Sequence, residues 1–341
     1  MKTKLRLLIA VVFVATMVAF ASTSIAATPI KWKMQSTWPI GAAGYRTAEG
    51  WTDAMNKMTN GMLEIKLFPP NAIVPTAQML QSLKLGVFEA AMTYGGFYGG
   101  MIPETDLEIG LPLSHQTWDE VWDVMYQRGL GDLIQQAYGE QGLRWYPTAA
   151  DYPYHFLTNF PVRSLDDLKG KKIRAVGVFG KYVQAVGASA TSVMPAEMYM
   201  ALRLGTVDGA LYGATGLQDS KLHEVVKYYT LPSAAQISIS LVISQKAIDK
   251  LPKEIREVVQ VGSRYVMSDL SNQYISQCKA GVAKSERMGS IEASVLPEEE
   301  LAKMRKLVVP IWDELAAKSP RMKKGVDILK QQMRDLGRPM E

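Results

Sequence analysis

Arg174 is the residue whose type and position most clearly indicate binding chemistry. It lies in the segment KKIRAVG, which predicts a strand, between apolar neighbours. A buried guanidinium needs a partner because an unpaired buried charge is very costly. Its planar fork suits a carboxylate bound through two parallel hydrogen bonds. That carboxylate could belong to a bound anion or to a structural Asp or Glu, and the residues alone leave both open.

Spacings that are typical of catalysis are missing from the sequence. It contains no HExxH or HxH pair, no GxSxG, no P-loop and no GxGxxG after a predicted strand. Ser114, His115 and Asp119 supply the residue types of a hydrolase triad, but they are close neighbours in the chain and no oxyanion donor accompanies them. The sequence therefore predicts a protein that is not an enzyme.

A glycine-rich segment, Tyr94-Gly-Gly-Phe-Tyr98-Gly-Gly, follows the third predicted strand. No Lys-Ser or Lys-Thr pair follows it, and aromatic residues fill the intervening positions, which argues against a phosphate loop. The segment is compatible with a close approach of the backbone to a ligand and equally with an ordinary turn.

Cysteine and histidine usage limits metal and redox chemistry. Cys278 is the single cysteine, so neither an intramolecular disulfide nor a multi-cysteine metal site is possible. His115, His155 and His223 are widely separated. We expect that neither a metal nor a cofactor takes part in function.

Composition and charge are those of an ordinary folded protein. The chain has 341 residues, of which 48% are hydrophobic and 21% charged, and this length favours two domains. Three positive charges of the net +5 (Lys2, Lys4 and Arg6) lie in the first six residues. The rest of the chain is nearly neutral, so we expect no nucleic-acid binding, which needs a concentrated basic face.

The N-terminus has the pattern of a secretory signal peptide. Residues 1–6 are positively charged, residues 7–21 are continuously apolar, and STSIAA follows with small residues suited to cleavage after Ala26. The apolar run is shorter than the ~20 residues that span a bilayer, which favours a signal peptide over a membrane anchor. We therefore expect removal of residues 1–26 and a soluble periplasmic protein, where a single cysteine avoids wrong disulfide pairings.

Strand and helix patterns alternate along the mature chain. One β-α-β-α-β unit begins at residue 30, and a second unit of the same type begins near residue 151. Such units form largely parallel sheets with helices on both faces, and ligands bind at the carboxyl ends of their strands. The sequence therefore predicts an α/β fold of two lobes with a cleft between them.

The last hundred residues are mainly helical. Residues 251–288 predict one long helix spanning both lobes, with two helices broken at Gly262 as the alternative. The predicted division is lobe one over 27–151 and 240–279, lobe two over 152–239 and 280–307, and C-terminal helices over 308–341.

Three segments carry patterns that recur together in one protein family. They are GMLEIKLFPPNAIVPTAQMLQSLKLG (61–86), PVRSLDDLKGKKIRAVG (161–177) and GASATSVMPAEMYMALRLGTVDGALYG (187–213). In this order they resemble the solute-binding proteins of TRAP transporters, the DctP family, and the helix beginning LPKEIREVV also fits. The resemblance runs from Trp32 to about Asp335.

The resemblance implies two α/β lobes, with mixed and mostly parallel sheets, that close around a small organic anion. It also implies that Arg174 clamps the ligand carboxylate. The ligand would be delivered to the membrane subunits of a permease driven by a sodium gradient. A receptor that presents its ligand to a sensor kinase is the alternative. We expect a monomer or a weak dimer.

Departures from the family pattern bear on the ligand. Tyr154 stands where sialic acid binders carry a second arginine. Ala210-Leu211-Tyr212 stands where other members have Gln-Glu-Asn, or a Glu-Trp pair whose Glu contacts a cation. The side chain of Leu211 cannot ligate a metal, which supports binding without a cation.

The predicted pocket is aromatic rather than highly polar. Its predicted substrate-binding residues are Arg174, Trp38, Tyr94, Tyr98, Tyr154, Tyr212 and Gln35, the last from the segment KMQSTWP, which is similar to the 2-keto-acid branch. Tyrosine offers a flat apolar face and one hydroxyl. The set favours a monocarboxylate with an apolar or aromatic body, although each aromatic residue taken alone is compatible with core packing.

Overall fold

The structure is a computed structural model that describes residues 28–340, apart from the side chains of residues 148–152, Tyr274 and Cys278. The predicted signal peptide, residues 1–26, lies outside the described residues. Within the described part of the chain, no helix is long and apolar enough to cross a membrane.

The first half of the fold contains the predicted β-α-β-α-β unit. Its elements are β1 (Ile30–Ser36), α1 (Ala43–Met58), β2 (Leu63–Phe68), α2 (Met79–Leu85) and β3 (Ala90–Thr93). The strands are parallel in the order β2-β1-β3. Helix α2 ends at Gly86, whose φ of 79° places it in the left-handed region that glycine adopts without strain.

A helical segment and one long strand lead from this half to the next. The elements are α3 (Thr105–Glu108), α4 (Trp118–Trp122) continuing into a π-helical turn (Asp123–Gln127), α5 (Leu130–Glu140) and β4 (Leu143–Thr158).

The second half repeats the alternation of strands and helices. It contains β5 (Lys172–Arg174), α6 (Val178–Ala185), β6 (Ser189–Thr191), α7 (Met198–Arg203), β7 (Gly209–Gly213), α8 (Gly216–Asp219), β8 (Tyr228–Leu231) and β9 (Ala235–Ser244). Strands β7, β5 and β6 are parallel neighbours in that order. The pattern SLDDLKG predicts a short helix beginning at Ser164, and in the structure it is a 3-10 turn (Leu165–Leu168) with a capping box between Ser164 and Asp167.

The rest of the chain is helical apart from one strand. It contains α9 (Gln245–Asp249), α10 (Lys253–Glu257), α11 (Ser263–Arg287), β10 (Glu292–Val295), α12 (Glu298–Ala316) and α13 (Pro320–Asp335). The predicted boundary at residue 308 falls inside α12, because this helix begins at Glu298 and runs without interruption to Ala316.

The strands form one continuous sheet in the order β2-β1-β3-β9-β4-β7-β5-β6, with β8 paired to β4 and β10 to β8. Strand β9 is antiparallel to β3 and β4, and β4 is antiparallel to β7. The sheet is therefore mixed. The predicted parallel sets are present in each half, but β4 and β9 join them with antiparallel pairing.

The register between β4 and β9 shifts where the two halves meet. Thr148 lies opposite Ile239 and Tyr152 opposite Ile237, so β4 contains two more residues than β9 over this interval. Extra residues in one strand bend it and increase its twist. The shift therefore lies where a change in the angle between the halves is easiest to accommodate.

The predicted long helix is present as one continuous helical run. Helices α10 and α11 are joined by a π-helical turn (Val258–Gly262), so the chain stays helical through Gly262. At one end, Trp51 of α1 donates a hydrogen bond to Ser263 (3.0 Å). Further along the helix, Gln218 of α8 donates a hydrogen bond to Ser285 (2.6 Å). The helix thus contacts both halves of the fold.

Candidate functional site

Arg174 ends β5 at the carboxyl edge of the parallel strands, and its side chain is 1% exposed. Its Nε donates to the carbonyl of Val193 (2.8 Å) and its Nη1 to the carbonyl of Leu211 (3.4 Å). No Asp or Glu among the described residues forms an ion pair with it. A full positive charge is thus buried with only neutral partners, which favours an anion as the missing one.

Aromatic rings surround this guanidinium. The ring of Tyr212 lies 5.2 Å from the Arg174 guanidinium carbon, within the range of a cation–π contact. Tyr154 lies between the two halves of the fold, because its ring centroid is 6.2 Å from that of Tyr212 and 6.1 Å from that of Tyr94. Phe179 approaches Tyr154 to 5.4 Å. The predicted residues Tyr94, Tyr154, Tyr212 and Arg174 are therefore brought together.

Trp38 enters this cluster from the first half. Its indole is 4% exposed and covers Gly44 so closely that a Cβ on Gly44 would lie 2.4 Å from the ring. Burial raises the pKa of Tyr212, and the Trp38 side chain is close enough to Tyr212 to oppose that rise by hydrogen bonding. Glycine at position 44 is thus what allows Trp38 to lie flat against α1.

The tyrosines of the cluster act as hydrogen-bond donors at neutral pH. Burial raises the pKa of Tyr94, Tyr154 and Tyr212, and the positive charge of Arg174 opposes the rise in each case. The Tyr94 hydroxyl is buried and has no well-aligned hydrogen-bond partner among the described residues, although the Tyr154 hydroxyl is close enough for a weak bond. Protonated hydroxyls beside a guanidinium form a site that is complementary to a carboxylate.

Two other predicted residues have their polar atoms bound by the protein. The Gln35 amide donates to the carbonyl of Val74 (2.8 Å) and accepts from the backbone amides of Ile73 (2.7 Å) and Val74 (3.1 Å). The Tyr98 hydroxyl is 2.9 Å from Thr93 Oγ1 and donates to the carbonyl of Thr76 (2.9 Å). Both residues support the loops near the cluster.

The glycine-rich segment is packed tightly against protein atoms. A Cβ on Gly95 would lie 2.8 Å from the carboxyl of Glu108, and one on Gly96 would lie 2.3 Å from the Tyr94 ring. Gly177, at the start of α6, has a φ of 58° and would bring a Cβ within 2.8 Å of the Gly96 carbonyl. These glycines are required by packing, and Gly177 is where the second half touches this loop.

Phe179 is a site residue that sequence reasoning missed. It is 0% exposed and lies in the first turn of α6, directly after the strand that carries Arg174. The segment FGKYVQAVG predicts this helix, and the first turn of a helix that follows a binding strand was the available signal.

Neither the triad residues nor a metal cluster forms a competing centre in the described residues. Ser114 Oγ lies 3.4 Å from His115 Nδ1, but His115 Nε2 has no well-aligned hydrogen-bond partner among the described residues, so no Asp completes a triad. No group of three or more His, Cys, Asp or Glu in the described ranges is arranged to hold a metal ion. The side chain of Leu211 is fully buried, and the Leu211 carbonyl accepts a hydrogen bond from Arg174.

A cavity of 790 Å³ lies outside the Arg174 cluster. It is lined by α11 and by residues that include His155, Tyr229 and Gln236. Tyr154 and His155 are consecutive in β4 and therefore point to opposite faces of the sheet. Arg174 does not line this cavity, so the volume of the cavity is no evidence that the ligand carboxylate binds there.

Residues 34–319 match the family of bacterial extracellular solute-binding proteins, family 7, known as DctP. The chain belongs to the DctP family. This confirms the resemblance found in the sequence, and members of the family are transport proteins that bind solutes rather than enzymes.

Three similar proteins place this DctP protein among known structures and relatives. The monocarboxylate 2-oxoacid-binding periplasmic protein of Nostoc sp. is 24% identical, over 86% of this chain and 81% of its own. A TRAP periplasmic solute-binding protein of Pseudoalteromonas atlantica, with bound sodium and pyruvate, is 19% identical and has a TM-score of 0.81 over 91% of this chain and 95% of its own. An extracytoplasmic solute receptor of Bordetella pertussis that binds pyroglutamic acid is 20% identical and has a TM-score of 0.80 over 88% and 99%.

The predicted class of fold and function is therefore confirmed. The DctP protein has the two-lobe α/β fold of TRAP solute-binding proteins and serves as the solute-binding component of such a transporter, which works with a membrane permease. The family is periplasmic.

Proposed function

We propose that this DctP protein binds a small monocarboxylate whose carboxylate contacts Arg174. The observation that carries the proposal is a guanidinium that is 1% exposed and has only carbonyl and aromatic partners among the described residues. A bound carboxylate would supply the missing negative charge through the fork geometry of arginine. The hydroxyls of Tyr94 and Tyr154 would complete the donor set.

The body of the ligand would lie against Trp38, Tyr94, Tyr154 and Tyr212. These side chains are almost fully buried and offer flat apolar faces, with few further polar atoms. Among the described residues, Arg174 is the one arginine of this cluster, so a second carboxylate on the ligand would have no guanidinium to bind. This favours a monocarboxylate. The three similar proteins described above are named for ligands with one carboxylate: a monocarboxylate 2-oxoacid, pyruvate and pyroglutamic acid. A relative from Rhodobacter capsulatus is named for C4-dicarboxylates.

Export and delivery follow from the same proposal. Residues 1–26 would be removed as a signal peptide, and the mature protein would act in the periplasm as a monomer or weak dimer. We also retain the proposed crossings between the lobes at residues 151/152, 239/240 and 279/280, which lie in β4, β9 and α11. The ligand would be held between the lobes and passed to the permease.

A thermal-shift comparison of matched ligands tests the proposal. Benzoate and pyruvate carry one carboxylate, succinate carries two, and benzamide is a neutral analogue of benzoate. A ligand present at 100 times its Kd adds about 2.7 kcal/mol of stability. We expect one or both monocarboxylates to raise Tm, and to raise it less in Arg174→Lys, whereas benzamide and succinate should leave it unchanged. An equal response to benzamide, or a response to succinate alone, would contradict the proposal.

A further inference from the structure

We propose a second anion-binding site in this protein, formed by Arg144 and Arg264 and suited to small organic carboxylates. It is a cavity of 350 Å³ between the π-helical turn after α4, helix α5, the first part of β4 and the start of α11. Arg144 lies in the part of β4 that precedes the register shift, whereas Tyr154 of the Arg174 site lies beyond the shift. The two sites share no residue.

Unpaired buried polar atoms mark this cavity as incomplete. Tyr146 is 4% exposed, lines the cavity, and its hydroxyl forms no hydrogen bond of ordinary geometry in the described part of the chain. The Nε of Arg144 is buried and equally without a partner, while its guanidinium lies 5.7 Å from the centre of the Tyr146 ring. The two groups are close enough to each other for a weak hydrogen bond. Buried donors are nearly always well bonded in folded proteins, and a ligand oxygen would give both a partner.

The charge balance of the cavity favours an anion. Neither Arg144 nor Arg264 forms an ion pair with an Asp or Glu among the described residues. Burial raises the pKa of Tyr146, and the positive charges of Arg144 and Arg264 both oppose that rise, so both act on the same hydroxyl. Asp132 is the acidic residue of the cavity wall and is exposed, which leaves two positive charges against one negative.

The remaining walls select the chemical class of the ligand. Met125, Tyr126 and Trp145 present apolar surface beside the two arginines. The volume is near the lower end of the roughly 300–1,000 Å³ range of small-molecule pockets. A flat carboxylate such as benzoate can bind the guanidinium fork and place its ring on these side chains, whereas inorganic phosphate would leave the apolar walls without contact.

The position of the site connects ligand binding to the joint between the halves. Pro147 lines the cavity and directly precedes the register shift that begins at Thr148. Arg264 is the second residue after the π-helical turn that ends at Gly262. An anion held by both arginines therefore bridges β4 and α11 next to the irregular segment of each.

Methyl NMR of 13C-methionine protein tests the site through Met125, whose signal is assigned with Met125→Leu. We expect benzoate to shift the Met125 signal in a saturable way, both in the unmodified protein and in Arg174→Lys. Arg144→Gln and Arg264→Gln should each weaken this response at least tenfold. Arg163→Gln, which removes an exposed arginine elsewhere, should respond like the unmodified protein. Inorganic phosphate should leave Met125 unshifted at the concentration at which benzoate saturates.

Three results would overturn the proposal. They are a Met125 signal that does not move with benzoate, a shift that survives unchanged in both arginine variants, and a phosphate response equal to that of benzoate. Arg264 is exposed, so its variant remains informative if Arg144→Gln fails to fold. The shift of the Met125 signal in Arg174→Lys distinguishes this site from the cleft. If Arg174 does not bind the carboxylate, the Met125 result is unaffected and the two proposals are tested separately.

Discussion

Arg46 and Asp219 form an ion pair between the two halves of the fold, with 3.2 Å between the guanidinium of Arg46 and the carboxylate of Asp219. The same carboxylate accepts a hydrogen bond from the backbone amide of Ala43 (3.0 Å), the first residue of α1. Ala42 at the N-cap position offers no side-chain bond. Asp219 of α8 therefore caps α1 from the other half of the molecule, where the positive end of the helix dipole favours a carboxylate.

Loss of this contact should weaken ligand binding, because the contact exists only when the halves are close together. We expect Asp219→Asn to cost about 1 kcal/mol of closure, the scale of a helix-end charge and a partly exposed ion pair. That corresponds to about a fivefold higher Kd for the monocarboxylate found in the ligand comparison, measured by calorimetry.

Small-angle scattering provides the structural measurement for Asp219→Asn. The radius of gyration of the unmodified protein should shrink with saturating ligand, and the variant should need more ligand for the same change. Asp53→Asn removes an exposed carboxylate from α1 and serves as the matched control. Equal affinities for Asp219→Asn and the unmodified protein would show that this pair does not hold a closed state. A radius that never shrinks, alongside tight binding, would show that the halves are already closed or do not hinge.

Replacement of Arg174 tests the carboxylate clamp. Lysine keeps the charge but loses the planar fork and the contact with Tyr212, so we expect Arg174→Lys to weaken binding by about 2–4 kcal/mol. Calorimetry with the same monocarboxylate measures the loss, and circular dichroism checks the fold. Arg203→Lys, an exposed exchange of the same kind, should bind normally. Unchanged affinity in a folded Arg174→Lys variant would reject the assignment.

Ligand affinity should not depend on a metal ion. The side chain of Leu211 is buried and carries no oxygen, although the similar structure with pyruvate holds sodium. We expect exhaustive chelation, and exchange of sodium for potassium, to leave Kd unchanged in calorimetry. A tenfold loss of affinity, about 1.4 kcal/mol, would contradict this expectation. It would point to backbone carbonyls of residues 94–100 as cation ligands, because oxygen ligands need not be carboxylates.

Glu108 should make the stability of the protein depend on pH near neutrality. Burial raises its pKa from 4.5 to about 7, although hydrogen bonds from Ser240 and Tyr138 favour the charged form. A raised pKa means that the folded state holds the proton more tightly than the unfolded state. This contribution is therefore fully present below about pH 4.5 and is lost as pH rises through 7.

Glu108→Gln remains neutral at every pH and isolates this effect. The free energy of unfolding of the unmodified protein, minus that of the variant, should fall as pH rises from 5 to 8. Burial lowers the pKa of His115 and His155 to about 4, which gives the opposite slope in both proteins and cancels in the difference. Thermal or urea unfolding at each pH measures this difference in the free energy of unfolding. A difference that is constant or grows with pH would refute the role of Glu108.

Local patterns were sufficient for many elements of the fold. The alternation in IKWKMQS predicts β1 with its observed bounds, Ile30–Ser36. The pattern TAQMLQSLKLG predicts a helix that stops at Gly86, where α2 ends, and the long helix runs through Gly262 as predicted. These features depend on side-chain period, on φ and on helix propensity, which act over a few neighbouring residues.

Strands β4 and β9 were not predicted, and they decide how the halves are joined. From Ile237 to Leu241, strand β9 alternates isoleucine or leucine with serine, and all ten residues of the strand are buried. The serine face is buried because Ser238 and Ser240 both donate hydrogen bonds to Glu108, and this contact cannot be read from the strand itself. The mixed sheet and its register shift follow from these long-range pairings.

The sequence by itself determined that Arg174 would be a buried charge that needs a binding partner. Burial of an unpaired guanidinium on an apolar strand costs free energy wherever that strand packs. Only the tertiary structure decided which predicted residues surround it. Tyr94 and Tyr154 converge on the cluster, whereas Gln35 and Tyr98 are occupied by nearby loops. The reason is distance along the chain: contacts between residues so far apart depend on how the halves pack, and no local period records that arrangement.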